Sequence, residues 1–363
     1  MAGLYIGLMS GTSLDGIDAI LAAPHGQQFH LRTALHRLFS PQLHRQLLAL
    51  QASGPDELRR ASLAANELTR AYAAAVRSLL LRARVSAGAV TAIGCHGQTV
   101  RHQPAAGYSV QLVNGALLAE LTGINVVCDF RSRDIAADGE GAPLVPAFHS
   151  AMFRTPSRSR AVVNIGGIAN VTSLPARGGV TGFDCGPGNC LLDAWISARR
   201  HLPYDRGGAW AARGRVAPHL LDKLLADPYF RRRPPKSAGR ETFNLDWLRR
   251  RLNPKDRAPD VQATLLELTA RTIARAVQTH CRDAREVLVC GGGARNRALF
   301  ARLAALLPNR RVVITDAVGV AAEHVEALAF AWLARQALRH KPGNLPAVTG
   351  ARGPRVLGAI YPA

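Results

Sequence analysis

Several things are scarce in this chain, and each scarcity excludes something. No run of eighteen apolar residues occurs among its 363 residues, so no membrane-spanning helix and no membrane partner are expected. No basic segment precedes the first apolar run, and Asp15 and Asp18 follow it closely. That argues against a signal peptide and for a cytoplasmic protein. Cysteine is limited to Cys95, Cys128, Cys185, Cys190, Cys281 and Cys290. None stand as Cys-x-x-Cys and no histidine cluster has metal spacing, so reduced core thiols are expected and a zinc site is not. Lysine occurs only at Lys223, Lys236, Lys255 and Lys341, so the net charge of +21 is almost wholly arginine. Aromatic residues make up 6% and do not alternate with the short basic runs Arg231–Arg233 and Arg249–Arg251. A single-strand stacking platform needs that alternation. No nucleic-acid partner is therefore expected, and the arginines read as a solvated surface that can attract anionic ligands.

What is present is material for cores. Hydrophobic residues make up 48% of the chain, and the length suggests about two domains. Apolar runs and helical patterns alternate through both halves, which implies α/β layers. The first half reads as strand, turn and two more strands to about Thr33. Amphipathic helices follow at 41–50 and 57–83, a strand at 90–95, and shorter elements to Cys128. Residues 129–145 read as a loop. The second half restarts with a strand at 161–165, a Gly166-Gly167 turn and a returning strand. Later come helices at 261–281 and 323–339, with strands at 286–290 and 311–315. Residues 231–243 are basic and Pro-rich and read as a loop, mobile or ordered. The halves look like two related domains meeting at a cleft, 1–130 and 131–349, with the tail 350–363 able to pack back on the first.

Three glycine turns carry the chemistry. Gly11–Gly16 has Walker A glycine spacing, but Ile17 stands where the lysine must be, and a strand rather than a helix follows. Gly291-Gly-Gly-Ala-Arg-Asn296 follows a strand and opens a helix, but lacks the Gly-x-Gly-x-x-Gly spacing of a dinucleotide fold. With Gly166-Gly167 they form two hairpin turns and a nucleoside turn, the layout of the actin, hexokinase and chaperone ATPase superfamily. Backbone N–H groups, hydroxyls and carboxylates at the first turn suit polyphosphate and its magnesium ion.

The longer motifs narrow this further. They are Gly7–Asp18, Gly94–Val100, Asp129-Phe-Arg131 with Gly141–Pro146, Asn164–Asn170, Gly182–Asn189, Pro235–Glu241, Gly291–Asn296 and Glu326–Ala331. In these the chain resembles, nearly end to end, the anhydro-N-acetylmuramic acid kinases, bacterial sugar kinases of that superfamily. The resemblance implies an α/β fold of two actin/hexokinase-like domains around a central nucleotide cleft, ATP and Mg²⁺ as cofactors, and suggests a homodimer. It implies that water opens the 1,6-anhydro bridge of 1,6-anhydro-N-acetylmuramic acid while the 6-oxygen takes the γ-phosphoryl of ATP, in the recycling of peptidoglycan. The rival readings are a kinase of an ordinary amino sugar and a non-enzymatic ATP-dependent scaffold.

Residue roles follow, each beside a plainer one. Asp184 precedes a Gly-Pro-Gly turn and reads equally as a cleft-facing base or as a cap of the next helix; the resemblance favours the base. Gly11, Thr12, Ser13, Leu14, Asp15, Gly16, Ile17 and Asp18 are expected to hold phosphates, with Asp15 and Asp18 as the magnesium candidates, one of them an ordinary turn residue. Gly166, Gly167 and Asn170 are expected at the second phosphate turn. Gly291, Gly292, Gly293 and Asn296 are expected to meet the nucleoside. His96, Gln98 and Thr99 sit in a glycine-flanked loop suited to substrate, although a lone histidine is more often structural. Arg131 offers a guanidinium fork for a carboxylate or a surface salt bridge. Glu323 and Glu326 share a helix face; the resemblance implies substrate contact for Glu326, and Glu323 suits the helix dipole. Closure of the two domains on ligand binding is expected.

Overall fold

The computed structural model describes residues 3–11, 14, 16–26, 28–239 and 242–363. The chain divides into two compact units, residues 1–152 with 324–363, and residues 153–323.

The first unit contains strands β1 (Leu4–Met9), β2 (Gly16–His25), β3 (Gln28–Leu38), β4 (Val90–Cys95), β5 (Gln98–Gln103), β6 (Tyr108–Leu112) and β7 (Val126–Cys128). Its helices are α1 (Pro41–Ala49), α2 (Glu57–Ala83), α3 (Gly115–Thr122), α4 (Ser132–Ile135) and α5 (Val145–Phe153). The local chemistry fixes several of these ends. Ser40 caps α1 by accepting from Leu43 N at 3.1 Å, with Pro41 at the first helical position. Asn114 caps α3 by accepting from Leu117 N, and Gly123 closes it in the left-handed conformation.

The second unit contains β8 (Arg160–Ile165), β9 (Ile168–Leu174), β10 (Thr181–Pro187), β11 (Glu286–Cys290) and β12 (Arg311–Ile314). Its helices are α6 (Cys190–Arg200), α7 (Pro218–Leu225), α8 (Leu245–Arg249), α9 (Ala258–His280) and α10 (Arg297–Leu306). The chain then returns to the first unit as α11 (Val325–Leu338), α12 (Pro346–Thr349) and β13 (Ala359–Tyr361).

Both main sheets share one plan. In the first unit the order is β13-β7-β4-β1-β2-β3, and in the second β10-β9-β8-β11-β12. Each begins with an antiparallel meander, β1–β2–β3 or β8–β9–β10. Each then adds two parallel strands beside the first, β4 and β7 or β11 and β12. The turn after β1 therefore corresponds to the turn after β8, and the chain leaving β4 to the chain leaving β11. Two mixed sheets flanked by helices result, the α/β architecture expected of the two halves.

Alternation along β1 places its two faces on different helices. Ile6 and Leu8 join the core built on Leu68, Tyr72, Val76 and Leu79 of α2. Gly7 faces the other way, against α11. A Cβ on Gly7 would lie 1.8 Å from Ala327 O, and one on Gly94 of β4 would lie 1.9 Å from Phe330 O. The absence of two side chains thus lets α11 lie directly on the sheet.

The sequence reading differs from the structure at several places. The units divide at 152/153 and 323/324, not at 130/131 and 349/350. The reason is that α5 and α11 pack with the first unit, α11 against β1 and β4. The tail pairs through β13 with β7. Gln98 and Thr99 open a strand, paired as a hairpin with β6, and are not loop residues. Glu323 stands in a 3-10 turn ahead of α11, where its carboxylate meets Arg295 at 2.6 Å; it is not in one helix with Glu326.

Candidate functional site

In the first unit the β1–β2 turn and the chain leaving β4 lie side by side. Ser10 is buried and its Oγ donates to Gly97 O at 3.0 Å, while Tyr72 OH lies 2.6 Å from the same Oγ. Gln98 Nε2 donates to Gly11 O at 3.1 Å, and Gln98 Oε1 has no partner among the described residues. Leu14 and Ile17 bury their side chains in the core, so only their backbone can meet a ligand. Leu14 takes a left-handed backbone (φ 58°), with its N–H on Gly11 O at 3.2 Å. Gly16 and Asp18 lie in β2, and Asp18 Oδ1 lies 2.8 Å from His36 Nδ1. Thr12, Ser13 and Asp15 lie outside the described residues.

His96 is 5% exposed, and both ring nitrogens are engaged inside the protein. Nδ1 lies 2.7 Å from Gly97 O and 3.1 Å from Ser10 O, so it carries the proton. Nε2 therefore accepts from Arg131 Nη2 at 3.0 Å. Burial, reinforced by the Arg131 charge, pushes the imidazole down to about 3, so it is neutral at any physiological pH. The Phe330 ring of α11 packs against it, with centroids 4.8 Å apart.

Arg131 is aimed from a second side. Its Nη1 donates to Gly141 O at 2.7 Å. Gly141 N in turn donates to Asp134 Oδ2 at 2.8 Å. The fully buried Asp134 also accepts from Asn344 Nδ2 and Thr349 Oγ1 through Oδ1. A hydrogen-bonded chain thus runs from the C-terminal segment through Asp134, Gly141, Arg131 and His96 to Ser10. Thr99 O accepts from Gln51 Nε2 and Thr99 Oγ1 from Gln111 Nε2. Glu326 lies half-buried in the first turn of α11.

In the second unit the registers assemble a polar row. Asn164 of β8 is directly opposite Asn170 of β9, which is directly opposite Asp184 of β10. Side chains in such pairs share a face at roughly 5 Å spacing. Asp184 is 5% exposed, and a β-bulge begins immediately after it, with Cys185 as the extra residue. Bulges re-aim side chains and recur beside active sites. Ala238 N donates to Asp184 Oδ2 at 3.1 Å. Tyr229 OH donates to Asp184 O at 2.6 Å. Asp184 lies inside β10, six positions before α6 begins at Cys190, so it is not the cap of that helix. Asn170 Oδ1 is buried without a partner among the described residues.

The Gly166-Gly167 turn is braced by the start of α6. Asn189 N donates to Gly166 O, and Gly188 N and Cys190 N donate to Gly167 O, at 2.8–3.0 Å. Gly291 N donates to Ala322 O, Gly292 and Gly293 form a 3-10 turn, and Asn296 caps α10 by accepting from Leu299 N at 3.1 Å. Asn296 is thus a structural cap whatever else it meets.

Ser10, Asn164, Tyr229 and Lys236 stand at these places without a role evident from sequence. Ser10 and Asn164 stand inside the glycine motifs, and Lys236 inside the Pro235–Glu241 motif, so the signal was there. Tyr229 gave none, because it is 45 residues from Asp184, the residue it touches.

Among the described residues no helix is long and apolar enough to cross a membrane. No group of three or more His, Cys, Asp or Glu among them could hold a metal ion by itself.

Among solved structures the chain aligns, over 91% of itself and 93% of the other chain, with the activator of the 2-hydroxyisocaproyl-CoA dehydratase from Clostridium difficile with bound ADPNP (13% identity, TM-score 0.46). It also aligns over 92% of itself and all of a ROK family glucokinase from Streptomyces griseus in complex with glucose and AMPPNP (12% identity, TM-score 0.42). Sequence relatives are much closer. The anhydro-N-acetylmuramic acid kinase of Nitrosomonas europaea is 56% identical over 361 residues, covering 99% of both chains. That of Nitrosospira multiformis is 55% identical over the whole of both, and that of Pseudomonas paraeruginosa 54% over 99% of both. The family model for anhydro-N-acetylmuramic acid kinase matches residues 3–363, and the chain belongs to that family.

Proposed function

We propose that this protein is an ATP-dependent kinase of 1,6-anhydro-N-acetylmuramic acid, acting in cell-wall recycling. It opens the anhydro bridge with water and phosphorylates the 6-oxygen. The observation that carries the reading is the buried carboxylate of Asp184 at a β-bulge, opposite Asn170, in a chain that matches this kinase family along its whole length.

The bonds balance as follows. Water attacks the anomeric carbon and its proton passes to Asp184. The bond from the anomeric carbon to the bridging oxygen breaks, and the freed 6-oxygen takes the γ-phosphoryl group, leaving ADP. The products are N-acetylmuramic acid 6-phosphate and ADP. A positioned base contributes about 10²–10⁴-fold to such a step. Phosphoryl transfer itself rests on holding and neutralising the phosphates.

The remaining roles are assigned by chemistry. The β1–β2 turn and the Gly166-Gly167 turn offer backbone N–H groups to phosphate oxygens. The Gly291–Gly293 turn receives the nucleoside. Arg131, held in a fixed plane by His96 and Gly141, suits the lactyl carboxylate of the sugar. His96 has no ring nitrogen left for the sugar and acts through Arg131. Gln98 offers its Oε1 to the sugar, and Thr99 and Glu326 are assigned to it by the family resemblance alone. Magnesium at kinase sites takes one or two carboxylates and otherwise phosphate oxygens and water. Asp15 and Asp18 are the carboxylates that would hold it, and Asp18 Oδ1 already lies 2.8 Å from His36 Nδ1. When bound, the ion neutralises charge on the phosphates.

Phosphorus NMR of the protein with ATP, magnesium and the anhydro sugar tests the reading. The expected result is a sugar phosphomonoester formed from the anhydro sugar and not from N-acetylmuramic acid or N-acetylglucosamine. Equal turnover of the unbridged sugars would contradict it.

A further inference from the structure

One motif remains without a role, the segment Pro235-Lys-Ser-Ala that opens the run to Glu241. It lies against Asp184. Asp184 N donates to Lys236 O at 3.2 Å, and Ala238 N donates to Asp184 Oδ2. Tyr229 OH donates to Asp184 O, and Lys236 Nζ donates to Tyr229 O at 3.0 Å while standing 4.5 Å from the centre of the Tyr229 ring. These contacts close a ring of three members: strand β10, the 3-10 turn Pro228–Arg231, and the segment 236–238. Lys236 is 4% exposed, unusual for the most strongly hydrated of side-chain cations.

We propose that Lys236 is a positioning residue for Asp184, holding it through the Tyr229 contact and bringing a positive charge near the group that is to accept the proton of water. The inference rests on the reading of Asp184 as the base. A carboxylate sealed from water loses solvation of its charged form, and a nearby cation restores part of that loss. Other groups among the described residues also act on Lys236. Cys185 of β10 is a thiol that burial holds well above its ordinary range, so it is neutral. Arg232, and Arg275 of α9, repel the ammonium, and His280 of α9 senses it. Asp184 is the carboxylate among the groups that act on it. Burial makes Lys236 itself easier to deprotonate than an ordinary lysine.

The test is Lys236→Met in the full chain, which removes the charge at similar length. Turnover of the anhydro sugar is followed from pH 5.5 to 9, with thermal unfolding and ATP binding measured alongside. The expected result is an acid limb displaced upward by about one pH unit, so that kcat falls by up to roughly tenfold at pH values below the limb and is unchanged on the plateau above it. ATP affinity is unchanged. Lys236→Arg, which keeps a charge, is expected to hold the limb in place, and Tyr229→Phe is expected to lower kcat evenly with no shift. A Lys236→Met limb that overlaps the parent's would overturn the proposal, as would a Lys236→Arg limb displaced like that of Met. Asp184→Asn separates the two readings. Normal turnover there removes the base itself, whereas an inert Asp184→Asn beside an unshifted Lys236→Met removes only the lysine's role.

Discussion

Asp184 and Arg131, the two side chains given the central roles in the proposed reaction, show how such residues are held. Each is aimed by neighbours that do not come from its own element: Asp184 by Tyr229 and the 236–238 segment, Arg131 by His96 and Gly141. Residue type left both open between a site role and a plainer one, and the family resemblance decided, because a carboxylate before Gly-Pro-Gly and an arginine after Asp-Phe are visible in one dimension. Their supports were not, since backbone carbonyls at 97 and 141 and a hydroxyl at 229 have no sequence signature. Asp184→Asn keeps the shape and the acceptor for Ala238 N while removing the basic oxygen. Its kcat is expected to fall by about 10²–10⁴-fold with ATP affinity within about twofold of the parent, read by steady-state assay and titration calorimetry. Retained turnover would take the base role away from Asp184.

At the scale of elements, long periodic segments were legible and short polar ones were not. The helix Glu57–Ala83 is an uninterrupted alanine- and leucine-rich amphipathic run, and its bounds in the fold are those read from the sequence. Strand β5 begins Gln98-Thr-Val-Arg-His, too polar to declare itself without its partner β6. The start of α11 was misread because Glu323 and Glu326 have helical spacing, while the Arg295 contact holds Glu323 in the preceding turn. The seat of α11 on the sheet depends on the missing side chains of Gly7 and Gly94. Gly94→Ala would push a methyl into the Phe330 carbonyl, a backbone atom that cannot rotate away. The expected cost is about 1–3 kcal/mol, seen as a lower urea midpoint with unchanged slope. Displacement of Phe330 would also loosen the His96 ring it covers, so KM for the sugar should rise. A variant as stable as the parent would mean that α11 does not need that close approach.

For the whole molecule, the duplicated plan of the two sheets was foreseeable from the repeat of strand–turn–strand at residues 4–25 and 160–174, but the division of the chain was not. The first unit is discontinuous, and only tertiary packing of α11 and pairing of β13 with β7 return residues 324–363 to it. Global stability should carry the mark of two sealed histidines. Burial lowers His96 and His149 to about 3, against about 6.5 when unfolded. Below pH 6.5 the unfolded chain binds protons that the native state refuses, so stability is full above that pH and falls as pH drops toward 3. Each histidine contributes a slope of about 1.4 kcal/mol per pH unit in that window. Urea midpoints at pH 7.5, 6, 5 and 4.5 should therefore decline steadily, and a flat series would show that these imidazoles are not held neutral. The reaction is tested by mass spectrometry of the product made from the anhydro sugar, ATP and magnesium in heavy-oxygen water. The expected product is a sugar phosphate carrying one solvent oxygen at the anomeric carbon and none in the phosphoryl group. A phosphorylated sugar without solvent oxygen, or no sugar phosphate while ATP still binds, would contradict it.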